Sequence, residues 1–347
     1  MLTVRLSSGL GNQMFQYCFY LLLKKLYPGA QVRADLTWFY ANNDHHGYEL
    51  QRIFGKNGSF LLEEASFGEL FRVCGMIPNC LMPADMQAYK NGKEYHGRFS
   101  EKQAAFFEEF RRYPNRVIRE FTLKKRLPYM IDEGGSGPAA MLGGSKLNND
   151  DIYKLVNSLD LSKDYYFTGF WISERYFGQV LPEARRAFAF LQAADEENKS
   201  IIREIGERPG RSVSLHVRRG DYLTVYKDQF RVLTREYYER AVEAILERTG
   251  LDMGELKFYI FSDDSDFAMR EFDFLENKRV VTHNRGKESY RDMQLMSLCS
   301  HNIIANSTFS QWAALLNKNE GQLTIYPRAY LKDQDNEEKT LKGWIML

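Results

Sequence analysis

The strongest chemical signal in the sequence is a pair of adjacent arginines at the end of a predicted strand. We predict the strand over Ser212–Val217, and it runs directly into Arg218, Arg219 and Gly220. Guanidinium groups are always charged and present a fixed fork of donors that suits phosphate oxygens. Glycine allows a ligand to approach the backbone closely. These features predict a diphosphate site; the alternative is a structural network between Arg219 and Asp221, with Arg218 at the surface.

Two carboxylates follow a second predicted strand, Lys257–Ser262. Capping of the next helix accounts for one of Asp263 and Asp264, which leaves the other free to accept hydrogen bonds from a purine edge or a ribose. Asp264 and Asp266 also form an Asp-x-Asp pattern, which is able to hold a metal ion with a nucleotide diphosphate. Because the paired arginines already supply positive charge, we predict that the site holds no metal.

Small hydroxyl residues follow a third predicted strand, Asn302–Asn306. A helix predicted over Phe309–Asn317 begins here, and the unpaired N–H groups of its first turn form an anion site with the positive end of its dipole. Capping of the helix by Ser307 or Thr308 is the plainer alternative. Ligands of open parallel sheets bind at the carboxyl ends of the strands. Three polar strand ends in succession therefore favour a single binding site.

A glycine turn near the N-terminus offers further hydrogen-bond donors. It joins a strand predicted over Leu2–Leu6 to a helix predicted over Met14–Leu26. The turn does not match the dinucleotide-binding pattern, because Met14 replaces the third glycine. Its amides can still face a ligand in a cleft between two domains; a tight turn with the amides as caps is the alternative. The residues concerned are Gly9, Gly11, Asn12 and Gln13.

Predicted strands and helices alternate through the C-terminal half, which is the pattern of a parallel sheet covered by helices. The sequence therefore predicts an α/β fold with a Rossmann-like C-terminal half. The further helices are predicted over Arg235–Arg248, Asp266–Glu276 and Ser289–Cys299, and the further strands over Arg279–Thr282 and Gln322–Tyr326.

The length of 347 residues predicts two domains, at roughly 150 residues for each. We place residues 1–165 in an N-terminal domain and residues 166–347 in a C-terminal one. A helix is predicted over Glu101–Phe121, with Pro114 breaking or kinking it. Residues 134–145 contain five glycines, a composition that predicts a loop or a linker.

Composition limits the classes of partner. Lysine plus arginine number 47 and aspartate plus glutamate 46, so the formal net charge of +1 gives no field that would attract nucleic acid. The four cysteines show no metal-ligand spacing, which favours reduced thiols. We recognise no signal peptide or membrane anchor and expect a cytoplasmic protein, with weak peripheral contact to anionic lipid available through Lys124–Arg126.

Together the motifs resemble those of the α1,2-fucosyltransferase family, in the family's order along most of the chain. HxRRGDY combined with NSTFSxWAA is a highly specific pair. One departure is Gln311, where the family commonly carries a tryptophan; it does not touch the anion site. Animal members have a Golgi anchor, and its lack here implies a bacterial form. The matching segments are Gly9–Tyr17, Gly169–Phe177, His216–Tyr222, Phe261–Asp264 and Asn306–Ala314.

The resemblance implies a glycosyltransferase B-type fold, in which two Rossmann-like domains face a central cleft. Residues 1–165 would form the acceptor-side domain, and residues 166–347 would form the domain that binds GDP-fucose. It also implies GDP-β-L-fucose as donor and inverting transfer of fucose, without a metal or other cofactor, to O2 of a terminal β-galactose on a glycan. Arg218 would contact the diphosphate, with Arg219 supporting it or the fold. His216 and Asp263 would lie near guanine or ribose. Ser307, Thr308, Phe309 and Ser310 would lie near the phosphates, and Gly9, Gly11, Asn12 and Gln13 would face the cleft.

Inverting transfer also requires a group that takes the proton of the acceptor hydroxyl. We predict Asp221 for this role, and an ion pair in which Asp221 orients one of the arginines is an equal alternative. Two other functions stay open: a fucosyltransferase of another linkage such as α1,6, and a non-catalytic module that binds a GDP-sugar or a glycan. The rival carboxylates for the role of base are Glu49, Asp35 and Glu174.

Overall fold

The computed structural model describes residues 1–41, 45–74, 129–133, 147–191, 194–331, 334–335 and 340–347. These residues form two compact units, Met1–Ala187 and Phe188–Leu347, each built on a parallel sheet. The predicted α/β class with two Rossmann-like halves is therefore confirmed. The helix predicted over Glu101–Phe121 and the glycine-rich residues 134–145 lie outside the described residues, as does the basic segment Lys124–Arg126.

The N-terminal unit is built on four short strands whose residues are almost all buried. They are β1 (Leu2–Arg5), β2 (Val32–Asp35), β3 (Met130–Asp132) and β4 (Tyr165–Thr168). All neighbours are parallel, and the order across the sheet is β2-β1-β4-β3. The predicted first strand is confirmed and ends one residue early, at Arg5.

The helix that follows β1 begins earlier than predicted. Helix α1 covers Leu10–Leu26, whereas the sequence predicts Met14 as its first residue. Gly9 occupies the N-cap position with extended backbone, so Gly11–Gln13 form the first helical turn instead of a loop before it. The first N–H groups of a helix have no partner within the helix, which is why small and polar residues are accommodated there.

Aromatic rings hold α1 on the sheet. Phe19 of α1 stacks on Trp171 with ring centroids 3.6 Å apart and meets Phe167 of β4 edge-on at 5.3 Å. Such pairs add stability beyond the burial of their area. The remaining helices of this unit are α2 (Trp38–Ala41), α3 (Leu50–Phe54), α4 (Phe67–Cys74), α5 (Asn149–Val156), α6 (Glu174–Phe177) and α7 (Leu181–Ala187).

The two units divide between Ala187 and Phe188, later in the chain than the predicted boundary at residue 165. Strand β4 is the reason, because its residues pair with β1 on one side and β3 on the other. Helices α6 and α7 then pack against α1. Residues 166–187 therefore belong with the N-terminal sheet.

The C-terminal unit is built on six parallel strands in the order β12-β9-β8-β5-β6-β7. Strands β5 and β6 have the predicted bounds, whereas β8 and β9 are shorter than predicted. The strands are β5 (Ser212–Val217), β6 (Lys257–Ser262), β7 (Lys278–Val281), β8 (His301–Ile303), β9 (Thr324–Tyr326) and β12 (Ile345–Met346), and β10 (Ala329–Leu331) and β11 (Gln334–Asp335) form a separate antiparallel pair.

The helices of the C-terminal unit flank this sheet. Four of them, α10 to α13, match predicted helices to within one residue at each end, with one exception. Helix α11, which begins at Ser265, ends at Glu271 instead of the predicted Glu276. Helices α8 and α9 are absent from the sequence-based prediction. The helices are α8 (Glu196–Gly206), α9 (Gly220–Leu223), α10 (Arg235–Thr249), α11 (Ser265–Glu271), α12 (Tyr290–Leu298) and α13 (Thr308–Leu316).

Two further features are the state of the cysteines and the search for membrane-spanning helices. Cys18, Cys74 and Cys299 are buried free thiols, in agreement with the prediction, and Cys80 lies outside the described residues. In the part of the chain that the structure describes, no helix combines the length and the apolar character needed to cross a bilayer.

Candidate active site

The three polar strand ends predicted from the sequence meet at one edge of the C-terminal sheet. Strand β5 lies between β8 and β6 and runs parallel to both, so the carboxyl ends of the three strands are neighbours. Arg218 follows β5, Asp263 follows β6, and Ser307 lies beyond β8 at the start of α13. Ligands of open parallel sheets bind at this edge.

Two carboxylates hold the guanidinium of Arg218. Its Nη2 donates to Oδ2 of Asp221 at 2.8 Å, and its Nη1 lies 3.1 Å from Oδ2 of Asp263. Burial opposes the charge of Arg218, but the carboxylates of Asp263 and Asp221 raise its pKa above the ordinary value. These two pairs engage only part of the fork of five N–H donors, so the guanidinium can also donate to phosphate oxygens.

Asp263 also closes the loop that carries the arginines. Its Oδ1 accepts the backbone N–H of Arg219 at 2.9 Å, and its Oδ2 accepts that of Gly220 at 3.1 Å. Successive N–H groups of this kind form an anion-binding concavity, which here holds a carboxylate of the protein itself. The contact of Asp263 with guanine or ribose stays a prediction, while its observed partners fix Arg218 relative to β6.

Arg219 is held by a separate set of contacts. Its Nε donates to Oδ2 of Asp264 at 3.3 Å, and its guanidinium carbon lies 3.6 Å from the ring centroid of Phe267. Asp264 also caps α11, because its Oδ1 accepts the N–H of Phe267 at 3.0 Å. Arg219 is thus part of the local framework, and Asp221 pairs with Arg218 instead of with Arg219.

His216 is a buried imidazole beside the arginines. The residue is 7% exposed, and among the described residues its Nδ1 has no hydrogen-bond partner. Burial, and then the charge of Arg218, lower the pKa of His216 to about 3. Its ring centroid lies 5.8 Å from that of Phe309, in the first turn of α13. At neutral pH the imidazole is therefore uncharged and able to exchange a hydrogen bond with a ligand.

The start of α13 completes this edge of the sheet. Ser307 is the N-cap residue, and its Oγ accepts the N–H of Phe309 at 3.3 Å. The hydroxyl of Ser310 donates to the carbonyl of Ser307 at 3.3 Å, and Thr308 and Ser310 are buried. The hydroxyl of Ser307 therefore serves the cap, as in the plainer alternative, while the positive end of the helix dipole points to the same edge. Phosphate contact by Ser307, Thr308, Phe309 and Ser310 stays a prediction.

The N-terminal motif lies in the other unit and is bonded within it. The side chain of Gln13 donates to the carbonyls of Ser8 and Gly47 at 2.8 and 2.9 Å, and Asn12 donates to the hydroxyl of Ser8 at 2.9 Å. These amides brace the connection from β1 to α1. Ligand contact by Gly9, Gly11, Asn12 and Gln13 stays a prediction.

The carboxylates considered as the base have different surroundings. Oδ2 of Asp221 is bonded to Arg218, and its Oδ1 is buried without a partner among the described residues. Asp35 is fully buried, and its oxygens accept three hydrogen bonds. Burial raises the pKa of Glu49, which pairs with a neighbouring arginine at 2.7 Å. Glu174 is exposed.

Residues 147–347 match the family model described as glycosyl transferase family 11. This match covers more than half of the chain. The chain belongs to glycosyl transferase family 11. It is the α1,2-fucosyltransferase family that the motifs resemble, and the match includes β4 and every element of the C-terminal sheet.

Three relatives of this family 11 chain are named as glycosyltransferases. The O-antigen biosynthesis glycosyltransferase WbnK of Escherichia coli is 28% identical over 99% of this chain and 99% of its own. An alpha-1,2-colitosyltransferase of E. coli is 25% identical over 95% of this chain and 92% of its own. The mouse galactoside 2-alpha-L-fucosyltransferase Sec1 is 27% identical over 46% of this chain and 43% of its own. The family 11 chain is accordingly a glycosyltransferase.

Three aromatic residues of the family 11 site escape prediction from the sequence. Tyr222 donates through its hydroxyl to the carbonyl of Asn306 at 2.8 Å and so ties the arginine loop to the segment between β8 and α13. Tyr238 donates to the carbonyl of His216 at 3.2 Å, and Phe267 lies under Arg219. Tyr222 lies within the HxRRGDY motif, so the motif could have identified it as a site residue. Tyr238 and Phe267 lie outside the motifs, and nothing in the sequence singles them out.

Proposed function

We propose that this family 11 member transfers L-fucose from GDP-β-L-fucose to O2 of a terminal β-galactose on a glycan, with inversion at the anomeric carbon. The observation that carries the proposal is the guanidinium of Arg218, held between Asp221 and Asp263 at the edge where α13 begins. The motifs shared with α1,2-fucosyltransferases and the similarity to the mouse galactoside enzyme support the donor, the acceptor and the linkage.

The proposed chemistry follows from the charges that develop during transfer. Positive charge builds at the anomeric carbon of fucose, and negative charge builds on the departing GDP. Donors that are already oriented toward the developing charge lower the barrier most, because they need no reorganisation. Arg218 meets this requirement, since two carboxylates hold it. The start of α13 adds the positive end of a helix dipole.

The proposed transfer uses no metal ion. The Asp-x-Asp pattern supplies Asp264, but both of its oxygens already accept hydrogen bonds, one from the N–H of Phe267 and one from Arg219. These bonds support a structural role for Asp264. Neutralisation of the leaving diphosphate then falls to Arg218 and to main-chain donors.

Of the two roles open to Asp221, its ion pair with Arg218 supports the orienting one. The acceptor hydroxyl has a high pKa and loses its proton late in the transfer. A base must reach that proton, whereas Oδ1 of Asp221 is buried and Oδ2 is bonded to Arg218. We therefore propose that Asp221 is a positioning residue. The group that finally takes the proton is then another carboxylate, a histidine or a phosphate oxygen.

A second donor sugar is favoured by one relative. The alpha-1,2-colitosyltransferase matches 95% of this chain, and colitose differs from fucose only by the absence of the 3-hydroxyl group. A pocket that hydrogen-bonds this hydroxyl would reject the deoxy sugar strongly, whereas one that does not bond it would discriminate little. The ratio of kcat/KM for the two GDP-sugars therefore decides between the donors.

The test of the proposed function is incubation with GDP-fucose and lactose, followed by NMR of the product. We expect release of GDP and a fucose linked α1,2 to galactose. Arg218→Ala is expected to abolish transfer with little loss of thermal stability, while Arg235→Ala, at a half-exposed arginine of α10, keeps the wild-type rate. A different linkage rules out the proposed specificity, and lack of any transfer with retained GDP-fucose binding would support the non-catalytic alternative.

A further inference from the structure

Tyr222 is in contact with both parts of the proposed diphosphate site. It lies in α9, shortly after the paired arginines, and is 6% exposed. Its ring centroid lies 5.7 Å from the guanidinium carbon of Arg218, which is within the range of a cation–π contact. Its hydroxyl donates to the carbonyl of Asn306, the residue directly before Ser307, which caps α13. One side chain therefore joins the arginine to the start of the helix.

Asn306 is held by two hydrogen bonds that reach back to the loop after the arginines. Its carbonyl accepts the hydroxyl of Tyr222 at 2.8 Å, and its side-chain amide donates to the carbonyl of Arg231 at 2.8 Å. Asn306 is 1% exposed, so the loss of either bond leaves a buried polar group, which is costly. The ring of Tyr222 also stacks on that of Phe230, with centroids 4.3 Å apart. Both ends of the loop 222–231 are thus attached to the residue that precedes α13.

A second tyrosine makes a similar hydrogen bond without contacting the arginines. Tyr237 of α10 is 8% exposed, and its hydroxyl donates to the carbonyl of Ile304 at 2.7 Å. Its ring packs against that of Tyr238, with centroids 5.0 Å apart, instead of against Arg218. Tyr222 and Tyr237 therefore both place a buried hydroxyl on a carbonyl of the segment after β8, but only Tyr222 connects that segment to the proposed diphosphate ligand.

The two groups that Tyr222 joins act on the same charge in the proposed reaction. Negative charge develops on the leaving diphosphate, and donors stabilise it most when they already point to where it develops. Misplacement of a positioned group by about 1 Å costs up to roughly 100-fold in rate, whereas a bound ground-state ligand can adjust. We propose that Tyr222 is a positioning residue that aligns the Arg218 guanidinium and the first turn of α13 on the departing diphosphate. This inference rests on the proposed function for the charge that develops.

The experiment separates alignment from nucleotide binding and from stability. Tyr222→Phe keeps the ring beside Arg218 but removes the hydroxyl that donates to Asn306. We expect kcat with GDP-fucose and lactose to fall by about 10- to 100-fold. The dissociation constant for GDP, measured by calorimetric titration, is expected to change by about threefold or less, because the alignment acts on the transition state. The matched control is Tyr237→Phe, which removes a buried hydrogen bond of the same kind and is expected to keep the wild-type kcat.

Thermal unfolding establishes that each variant is folded at the assay temperature. Tyr222→Phe and Tyr237→Phe are expected to lose similar stability, since each removes one buried hydrogen bond. If Tyr222→Phe does not fold, Phe230→Leu takes its place, because it removes the stacked ring and leaves the hydroxyl of Tyr222 in place. This variant is expected to lower kcat by about threefold to tenfold, again with GDP affinity retained.

The inference is overturned if folded Tyr222→Phe keeps the wild-type kcat, or if Tyr237→Phe loses kcat to the same extent. A GDP affinity that falls by the same factor as kcat overturns it too, because the hydroxyl then serves nucleotide binding and not the transition state alone. A wild-type kcat in Phe230→Leu has the same meaning where that variant is used. Lack of fucose transfer by the wild-type protein contradicts the proposed function itself, and the inference with it.

Discussion

A Cβ atom on Gly220 would lie 2.9 Å from Oδ2 of Asp263, the same oxygen that accepts the N–H of Gly220. The carboxylate thus fits against the backbone only because residue 220 has no side chain. Asp263 also pairs with Arg218 at 3.1 Å. The position of the Arg218 guanidinium, which we propose binds the diphosphate, therefore depends on this glycine.

Gly220→Ala is expected to displace Asp263 and to loosen Arg218. The loss of one charged hydrogen bond corresponds to about 1.5–3 kcal/mol, which lowers kcat/KM for GDP-fucose by roughly 10- to 100-fold. Steady-state kinetics measure this effect. Gly206→Ala is the control, because a Cβ at that position meets no atom within 4 Å. Wild-type kinetics in Gly220→Ala would show that the loop tolerates a shift of Asp263.

Asp221→Asn separates orientation from base catalysis. If Asp221 orients Arg218, the variant loses GDP affinity and kcat together, because the ion pair at 2.8 Å loses its charge. If Asp221 is the base, kcat falls while GDP affinity is retained. Calorimetric titration with GDP, alongside kinetics, gives both quantities. Asp228→Asn, at an exposed carboxylate in the same segment, is expected to change neither of them.

The buried imidazole of His216 makes stability depend on pH. In the unfolded chain His216 binds a proton below its ordinary pKa of 6.5, but in the folded chain its pKa is about 3. The unfolded state therefore binds more protons between these values, and stability falls as the pH drops through 6.5 toward 3. From pH 7 to pH 5 the residue lowers the free energy of unfolding by about 2 kcal/mol.

His216→Phe keeps a ring of similar size and removes this titration. Urea unfolding at pH 7 and pH 5 is expected to show a smaller acid-induced loss of stability in the variant than in the wild-type protein. Because the stability lost between pH 7 and pH 5 is compared for the two proteins, any effect of the substitution that does not depend on pH cancels. Equal losses in both proteins would mean that His216 is not buried as a neutral group.

Transfer is expected to continue in excess EDTA. The hydrogen bonds of Asp264 support a capping role, and the guanidinium of Arg218 supplies positive charge for the leaving diphosphate. The assay compares initial rates with EDTA, with added Mn²⁺ and with neither. A rate that requires added Mn²⁺ would return Asp264 and Asp266 to consideration as ligands.

The sequence predicts the strands of the C-terminal sheet well where burial is continuous. Ser212–Val217 alternates polar and apolar residues, and Lys257–Ser262 has an apolar centre between two polar ends, so pattern alone gives their bounds. The start of α1 is different, because Gly9 and Asn12 are also typical of turns. Glycine and asparagine are common both in turns and at the start of a helix. The sequence pattern therefore does not show whether Gly9 and Asn12 precede the helix or begin it.

The sequence also predicts which residues meet at the candidate site but not how they are paired. The arrangement of Asp263 between Arg218 and two backbone N–H groups depends on β6 lying beside β5 and on the conformation of the loop. The hydrogen bonds on Asp35 likewise come from Thr37 and from Tyr166 of β4. Such relations arise from contacts between residues far apart in the chain.

The most direct test of the proposed site is a crystal structure of the chain with bound GDP. We expect the diphosphate to lie within hydrogen-bond distance of the Arg218 guanidinium and close to the first turn of α13. A diphosphate bound away from both groups would contradict the proposed role of this sheet edge in holding the leaving nucleotide.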